Sequence, residues 1–237
     1  LETKPMLLWQ IAHNRVYGGK IISLLKTKFA GIEDELFNQV NQYGWNLYHY
    51  VMRYGNVAMV KVLFENLTTE EILLQCAISV HPHGNCWTLA MLNAEFGPDI
   101  LKYLIRELGH QALAALINCF SDGWNMFHCA VGHGNQTIIN AIFGSFTLDE
   151  KMTICESRTS KHFTLFHIAI ANQEFGAEII DYFKTELGHH LINLFNKAQL
   201  GDQSIYHYAA ECANLSTIRA LFRGLEIFEI AAIYKYK

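Results

Sequence analysis

The sequence predicts an all-α chain, a solenoid of about six similar helical modules stacked side by side. Three observations predict it. A short motif returns every 39–40 residues. Five of its six copies open on a residue type that caps helix N-termini. An apolar run at helical spacing follows each copy. The 237 residues are 51% apolar and 17% charged, which rules out a disordered chain and leaves ample material for a core.

The motif opens with Asn46 in "NLYHYV", Asn85 in "NCWTLA", Asn125 in "NMFHCA", Thr164 in "TLFHIA" and Ser204 in "SIYHYA". A step of 39 back from Asn46 lands on Leu7 and "LLWQIA". Repeats therefore start near residues 7, 46, 85, 125, 164 and 204, and residues 1–237 read as a single repeat domain. The Asn, Thr and Ser side chains can accept a hydrogen bond from the free amides of a first helical turn. Each repeat thus begins with a helix. It is short, because Gly55-Asn56, Gly134-Asn135 and Ala213-Asn214 signal a turn about nine residues on. A second amphipathic helix follows, as in "VAMVKVLFENL" at 57–67 and "LSTIRALFRGL" at 215–225. Val60, Val62, Leu63 and Phe64 are expected to face neighbouring repeats, as are Ile138, Ile139, Ala141 and Ile142, since one repeat cannot bury its apolar face alone.

A short third helix completes each repeat. Thr68 with Glu71, and Thr147 with Glu150, have the spacing of capping boxes. The other repeats carry "IEDELFNQV", "HQALAALIN" and "HHLINLFN" at this place. A longer period overlies the first: Tyr17, Phe96 and Phe175 are 79 residues apart, so the chain reads as three copies of a two-repeat block. The glycines of "VYGGK" and "EFGPD" complete no phosphate-binding loop, and are expected to supply positive φ in the turn between helices. The tail "EIFEIAAIYKYK" reads as a closing helix or a seam to a further domain.

The net charge of −4, without a Lys/Arg block, excludes a nucleic-acid partner. No apolar run nears the roughly 18 residues of a membrane span, so no membrane insertion is expected. Six scattered cysteines without C-x-x-C read as free, buried thiols in a reducing, cytoplasmic setting. Cys76, His81, His83 and Cys86 are zinc-type ligands, but their spacing is not that of a zinc site. Neither a metal nor a cofactor is expected. No nucleophile signature occurs, so no catalysis is expected in this segment. The first residue is Leu1, which suggests a fragment of a longer protein.

"DGWNMFHCAVGHGNQTIINAIF" at 122–143 resembles the ankyrin repeat, D-G-x-T-P-L-H-x-A-A-x-x-G-H-x-x-I-V-x-x-L-L. His49, His128, His167 and His207 fall on the family's histidine, while Thr88 and Gln10 replace it in repeats three and one. Leu47, Cys86, Met126, Leu165 and Ile205 stand where the family has proline. The period also exceeds the family's usual 33 residues and would fit HEAT or armadillo repeats, but cap, histidine and turn recur together. The third helix is expected to replace the family's β-hairpin finger.

The resemblance implies that the histidines tie the turn of one repeat to the next. It also implies a monomer that binds a protein partner on a concave face. That face would comprise Trp45, Gly84, Trp124, Phe163 and Gln203 ahead of each cap. Arg53, Tyr54, Leu92, Asn93, Gly132, His133, Ala171, Asn172, Glu211 and Cys212, which end the first helices, would join them. Trp45 and Trp124 read either as anchors for a partner or as core packed on the third helices. The style is similar to ankyrin effectors that intracellular bacteria deliver into host cells, which implies a host protein as partner and the host cytosol as location. The alternative is a module that presents substrates to a catalytic domain in flanking sequence.

Overall fold

The computed structural model describes residues 4–80, 84–117, 123–133 and 136–225. All regular structure among them is helical, in seventeen helices and no strand. The chain divides into two compact units, Leu1–Cys119 and Phe120–Lys237.

Unit 1 holds three modules: α1 (Lys4–His13), α2 (Gly18–Lys28) and α3 (Glu33–Phe37); α4 (Leu47–Tyr54), α5 (Val57–Phe64) and α6 (Thr69–Ala77); α7 (Cys86–Met91), α8 (Gly97–Leu108) and α9 (His110–Ile117). The first helices stack as α1–α4–α7 and the second as α2–α5–α8. Unit 2 repeats the plan with α10 (Met126–His133), α11 (Gln136–Phe143) and α12 (Leu148–Glu156); α13 (Leu165–Ala171), α14 (Gly176–Leu187) and α15 (His190–Lys197); then α16 (Ile205–Cys212) and α17 (Leu215–Phe222). Here α10–α13–α16 and α11–α14–α17 stack. The tail 226–237 and the Gly134-Asn135 turn lie outside the described residues.

The caps fall where the sequence puts them. Asn46 Oδ1 accepts from the His49 amide at 3.1 Å, and Asn125 Oδ1 from the His128 amide at 3.0 Å. Both capping boxes form, with the Glu71 and Glu150 carboxylates accepting from the Thr68 and Thr147 amides at 2.7 and 2.8 Å. Each such cap contributes about 1 kcal/mol.

The histidines work at both ends of their rings. His49 Nδ1 accepts from the Asn46 amide at 3.1 Å, so the proton sits on Nε2, which donates to the Ile78 carbonyl at 3.0 Å. One ring thus closes the cap of α4 and holds the linker after α6. His128 and His167 make the same Nδ1 bond to Asn125 and Thr164. Burial pushes both down to about 4; the Ser157 main chain opposes this at His128, and Arg158 adds to it at His167. Among the described residues neither Nε2 has a hydrogen-bond partner. Thr88 does only the local half of the task, its Oγ1 accepting from the Asn85 amide at 2.8 Å.

A second set of bonds spans one repeat period. Asn56 caps α5 and also donates to the Arg15 carbonyl 41 residues back; Asn214 does the same for α17 and Gln173. Lys26 Nζ donates to the Glu65 carbonyl, and Lys184 Nζ donates to the carbonyls of Ala220, Leu221 and Arg223. In each case an ammonium seats at the negative end of the next module's second helix. Such bonds work because equivalent modules present the same carbonyl at a fixed offset.

The predicted faces are buried. Val60, Leu63 and Phe64 are enclosed with Val62 half-buried, and Ile138, Ile139, Ala141 and Ile142 are all enclosed. In unit 2 the second helices meet through edge-to-face rings, with Phe143–Phe183 and Phe166–Phe183 centroids both 5.5 Å apart.

Two expectations are corrected. Gly18 and Gly97 do not have positive φ. Their hydrogen side chains let two helices cross: a Cβ would lie 2.5 Å from the Ile11 carbonyl oxygen at Gly18 and 2.2 Å from that of Ala90 at Gly97. Gly176 repeats this against Ala169 at 2.6 Å. Nor does the third helix replace a returning turn. The linkers fold back ahead of the caps, with Asn41 N to Trp45 O at 3.0 Å, Val80 N to Gly84 O at 2.7 Å and Thr159 N to Phe163 O at 2.9 Å. Positive φ is used there instead, at Gly44, Gly84 and Gly123, and at His162 without a glycine.

Candidate functional site

A groove of about 440 Å³ opens on unit 1, formed by α1, the turn ahead of α4, α4 itself and α7. Asn41 builds much of it. Its Oδ1 accepts from the Tyr43 and Trp45 amides at 2.8 and 2.9 Å, and its Nδ2 donates to the Tyr50 hydroxyl at 2.7 Å. One linker side chain thereby sets three aromatic residues. In unit 2, Thr159 holds the amide of Phe163 in the same way at 3.2 Å.

The rings form a continuous row. Trp9 lies 4.1 Å from His13, His13 lies 4.2 Å from Tyr54, Tyr54 lies 6.3 Å from Trp45, and Trp45 lies 5.2 Å from Tyr50. Their exposure differs, and this decides their roles. Tyr43 is 63% and Trp9 is 41% exposed, whereas Trp45 is 8% exposed. Trp45 is thus largely core, with an edge on the groove. Burial pushes the Tyr50 phenol up, the bond from Asn41 opposing it.

Arg53 is the charged residue of the lining. Its guanidinium lies 5.1 Å from the centre of the Tyr54 ring, and Nη1 donates to the Leu92 carbonyl at 2.7 Å. That bond fixes the plane of the group and leaves Nε and Nη2 for other acceptors.

Of the other residues expected on a binding face, Asn93 is not available. It is 2% exposed; its amide donates to the Met52 and Gly55 carbonyls at 3.1 and 2.9 Å and accepts from the Phe96 amide at 3.1 Å. Asn172 is half-buried and likewise donates to the Val131 and Gly132 carbonyls at 3.0 and 3.2 Å. Both fasten a module to the one before it. In unit 2, Trp124 is half-buried and stacks on exposed His133 at 6.4 Å, with Gly132 beneath it. Phe163 sits half-buried against Tyr208 at 5.8 Å. Glu211 is exposed, and its carboxylate accepts from Gln203 at 2.9 Å.

Sequence reasoning missed Trp9, Asn41, Tyr43 and Tyr50. For Trp9 a signal was present. Asn14, Asn93 and Asn172 are 79 residues apart and each accepts an amide of the turn that follows. That register puts Trp9 and not Gln10 opposite Thr88 and His167.

Other candidate chemistry is spent internally. A depression of about 230 Å³ in unit 2 is edged by Arg158 and Lys197. Arg158 donates to the carbonyls of His162, Lys197 and Gln199, and Lys197 pairs with Glu156 at 2.6 Å. His81 and His83 lie outside the described residues, as does Cys119. A hydrogen bond with Cys86 and burial hold the Cys76 thiol well above the ordinary thiol range. Burial pushes Cys129 up to about 11 and Cys155 further still, which keeps both protonated. Among the described residues no helix is long and apolar enough to cross a membrane.

No protein-family model matches the chain, and no curated protein matches it in sequence.

Proposed function

We propose that the chain is a partner-binding module of divergent ankyrin-like repeats, and that the aromatic groove of unit 1 holds a segment of another protein. The observation that carries this reading is the row of rings around one groove, with exposed faces at Trp9 and Tyr43 and a fixed guanidinium at Arg53. Trp, Tyr and Arg dominate interface energies, because they desolvate much area for little lost side-chain freedom. The repeat reading rests on the recurring cap, histidine and turn, and on module-to-module bonds one period long. On the family resemblance, the partner is a host protein met in the host cytosol by a monomeric effector.

Selection of a random peptide display library on the purified chain tests the reading. Peptides are expected to enrich on the parent and to be lost on Trp9→Ala and Tyr43→Ala. Enrichment that persists on both variants, or none at all, rejects the groove as a binding site.

A further inference from the structure

Resting on that partner-binding reading, we propose that the groove receives an extended, proline-rich peptide segment carrying a carboxylate, with prolines among the rings and the carboxylate on Arg53. The groove offers ring faces in plenty and few hydrogen-bonding groups. Tyr50 takes a bond from Asn41 on its oxygen, which leaves the phenol hydrogen to donate. Arg53 retains Nε and Nη2 after its bond to Leu92. The backbone around the groove is committed: α1, α4 and α7 bond within themselves, and Asn41 and Trp45 bond to each other. A partner strand would find no row of free amides and carbonyls to pair with. A polyproline-type segment needs none, since its prolines lack the amide, its backbone makes no internal bonds, and its ordering entropy is largely spent before binding. Flat pyrrolidine rings fit between aromatic faces, and a volume of about 440 Å³ admits only a short stretch of chain.

Charge selects the rest. Arg53 is the charged lining residue, and no carboxylate lines the groove to balance it. A planar guanidinium held against Tyr54 presents its remaining donors as a fork suited to a carboxylate. The same cation disfavours the other guest that aromatic walls attract, a quaternary ammonium.

The test is fluorescence anisotropy with labelled peptides in which an Asp sits among prolines, against versions with Asp→Asn, Asp→Lys and Pro→Ala, and a trimethyl-lysine peptide. The Asp peptide is expected to bind, the Lys version about tenfold or more weakly. Arg53→Gln should bring the Asp and Asn peptides to similar affinity, while Arg53→Lys keeps part of the difference and controls for folding. Tighter binding of the Lys or trimethyl-lysine peptide, or equal binding of the Pro→Ala version, overturns the proposal. Failure of every proline peptide, while the display library still yields Trp9-dependent binders, overturns this inference and leaves the partner-binding reading standing. Failure of both removes both.

Discussion

Acid should unfold this protein through two side chains in unit 2. His128 and His167 are fully enclosed, and burial holds each at about 4 against an ordinary value of 6.5. The fold therefore favours the neutral ring, and below pH 6.5 the unfolded chain binds more protons. The stability this represents is fully present above pH 6.5 and is lost as the pH falls toward 4. At pH 5 the linkage relation gives a loss of about 2 kcal/mol per ring, hence about 4 kcal/mol for the pair. That is a large part of the ~5–15 kcal/mol that holds a typical domain together. Urea unfolding at about pH 7.5 and about pH 5 measures it. The informative variant is His128→Thr with His167→Thr, because Thr88 already closes the cap of α7 without a titrating ring. The double variant starts less stable, having lost two packed rings, but should lose about 4 kcal/mol less than the parent on acidification. Equal losses in parent and variant would refute the reasoning and move the acid sensitivity to other groups.

Two neighbouring glycines should respond with opposite signs. Gly18→Ala drives a Cβ to 2.5 Å from the Ile11 carbonyl and should cost about 2–3 kcal/mol, while Gly19→Ala, with nothing nearer than 3.9 Å, should be neutral or stabilise by about 0.5 kcal/mol. Thermal melting of the two variants reads this directly. Lys184→Met keeps the stem and removes the ammonium from the carbonyls that end α17, so it should cost about 1–2 kcal/mol, seen as a lower urea midpoint at unchanged slope.

The local parts of the fold were legible in the sequence. A cap such as Asn46 or a box such as Thr68–Glu71 satisfies amides within three residues, so the letters alone announce it. The third helices and the apolar faces were legible for the same reason. Asn93 and Asn172 were not, because the carbonyls that claim them lie 38–41 residues away. At that range a chain-end position on a short helix looks the same whether it faces a partner or the preceding module. Gly97 likewise owes its identity to the Ala90 carbonyl across a helix crossing, and not to its own φ. The groove was half-visible. Trp45, Arg53 and Tyr54 sit at expected register positions, but Asn41 lies in a linker where one polar residue reads like any other. Trp9 was hidden because α1 begins at Lys4, so a 39-residue step back from Asn46 starts the first repeat one residue late.

The account divides the first-helix ends into residues that fasten modules and residues left free to recognise a partner. A paired measurement of melting temperature and peptide affinity on Asn93→Ala and Tyr43→Ala tests that division most directly. Asn93→Ala removes a cap and two inter-module bonds, and should cost about 2–3 kcal/mol while affinity at a temperature where the chain stays folded is unchanged. Tyr43→Ala, at a side chain 63% exposed, should leave melting within about 0.5 kcal/mol of the parent and weaken binding about fivefold or more. The opposite pattern, a stable Asn93→Ala protein that no longer binds beside a destabilised Tyr43→Ala protein that does, would contradict it.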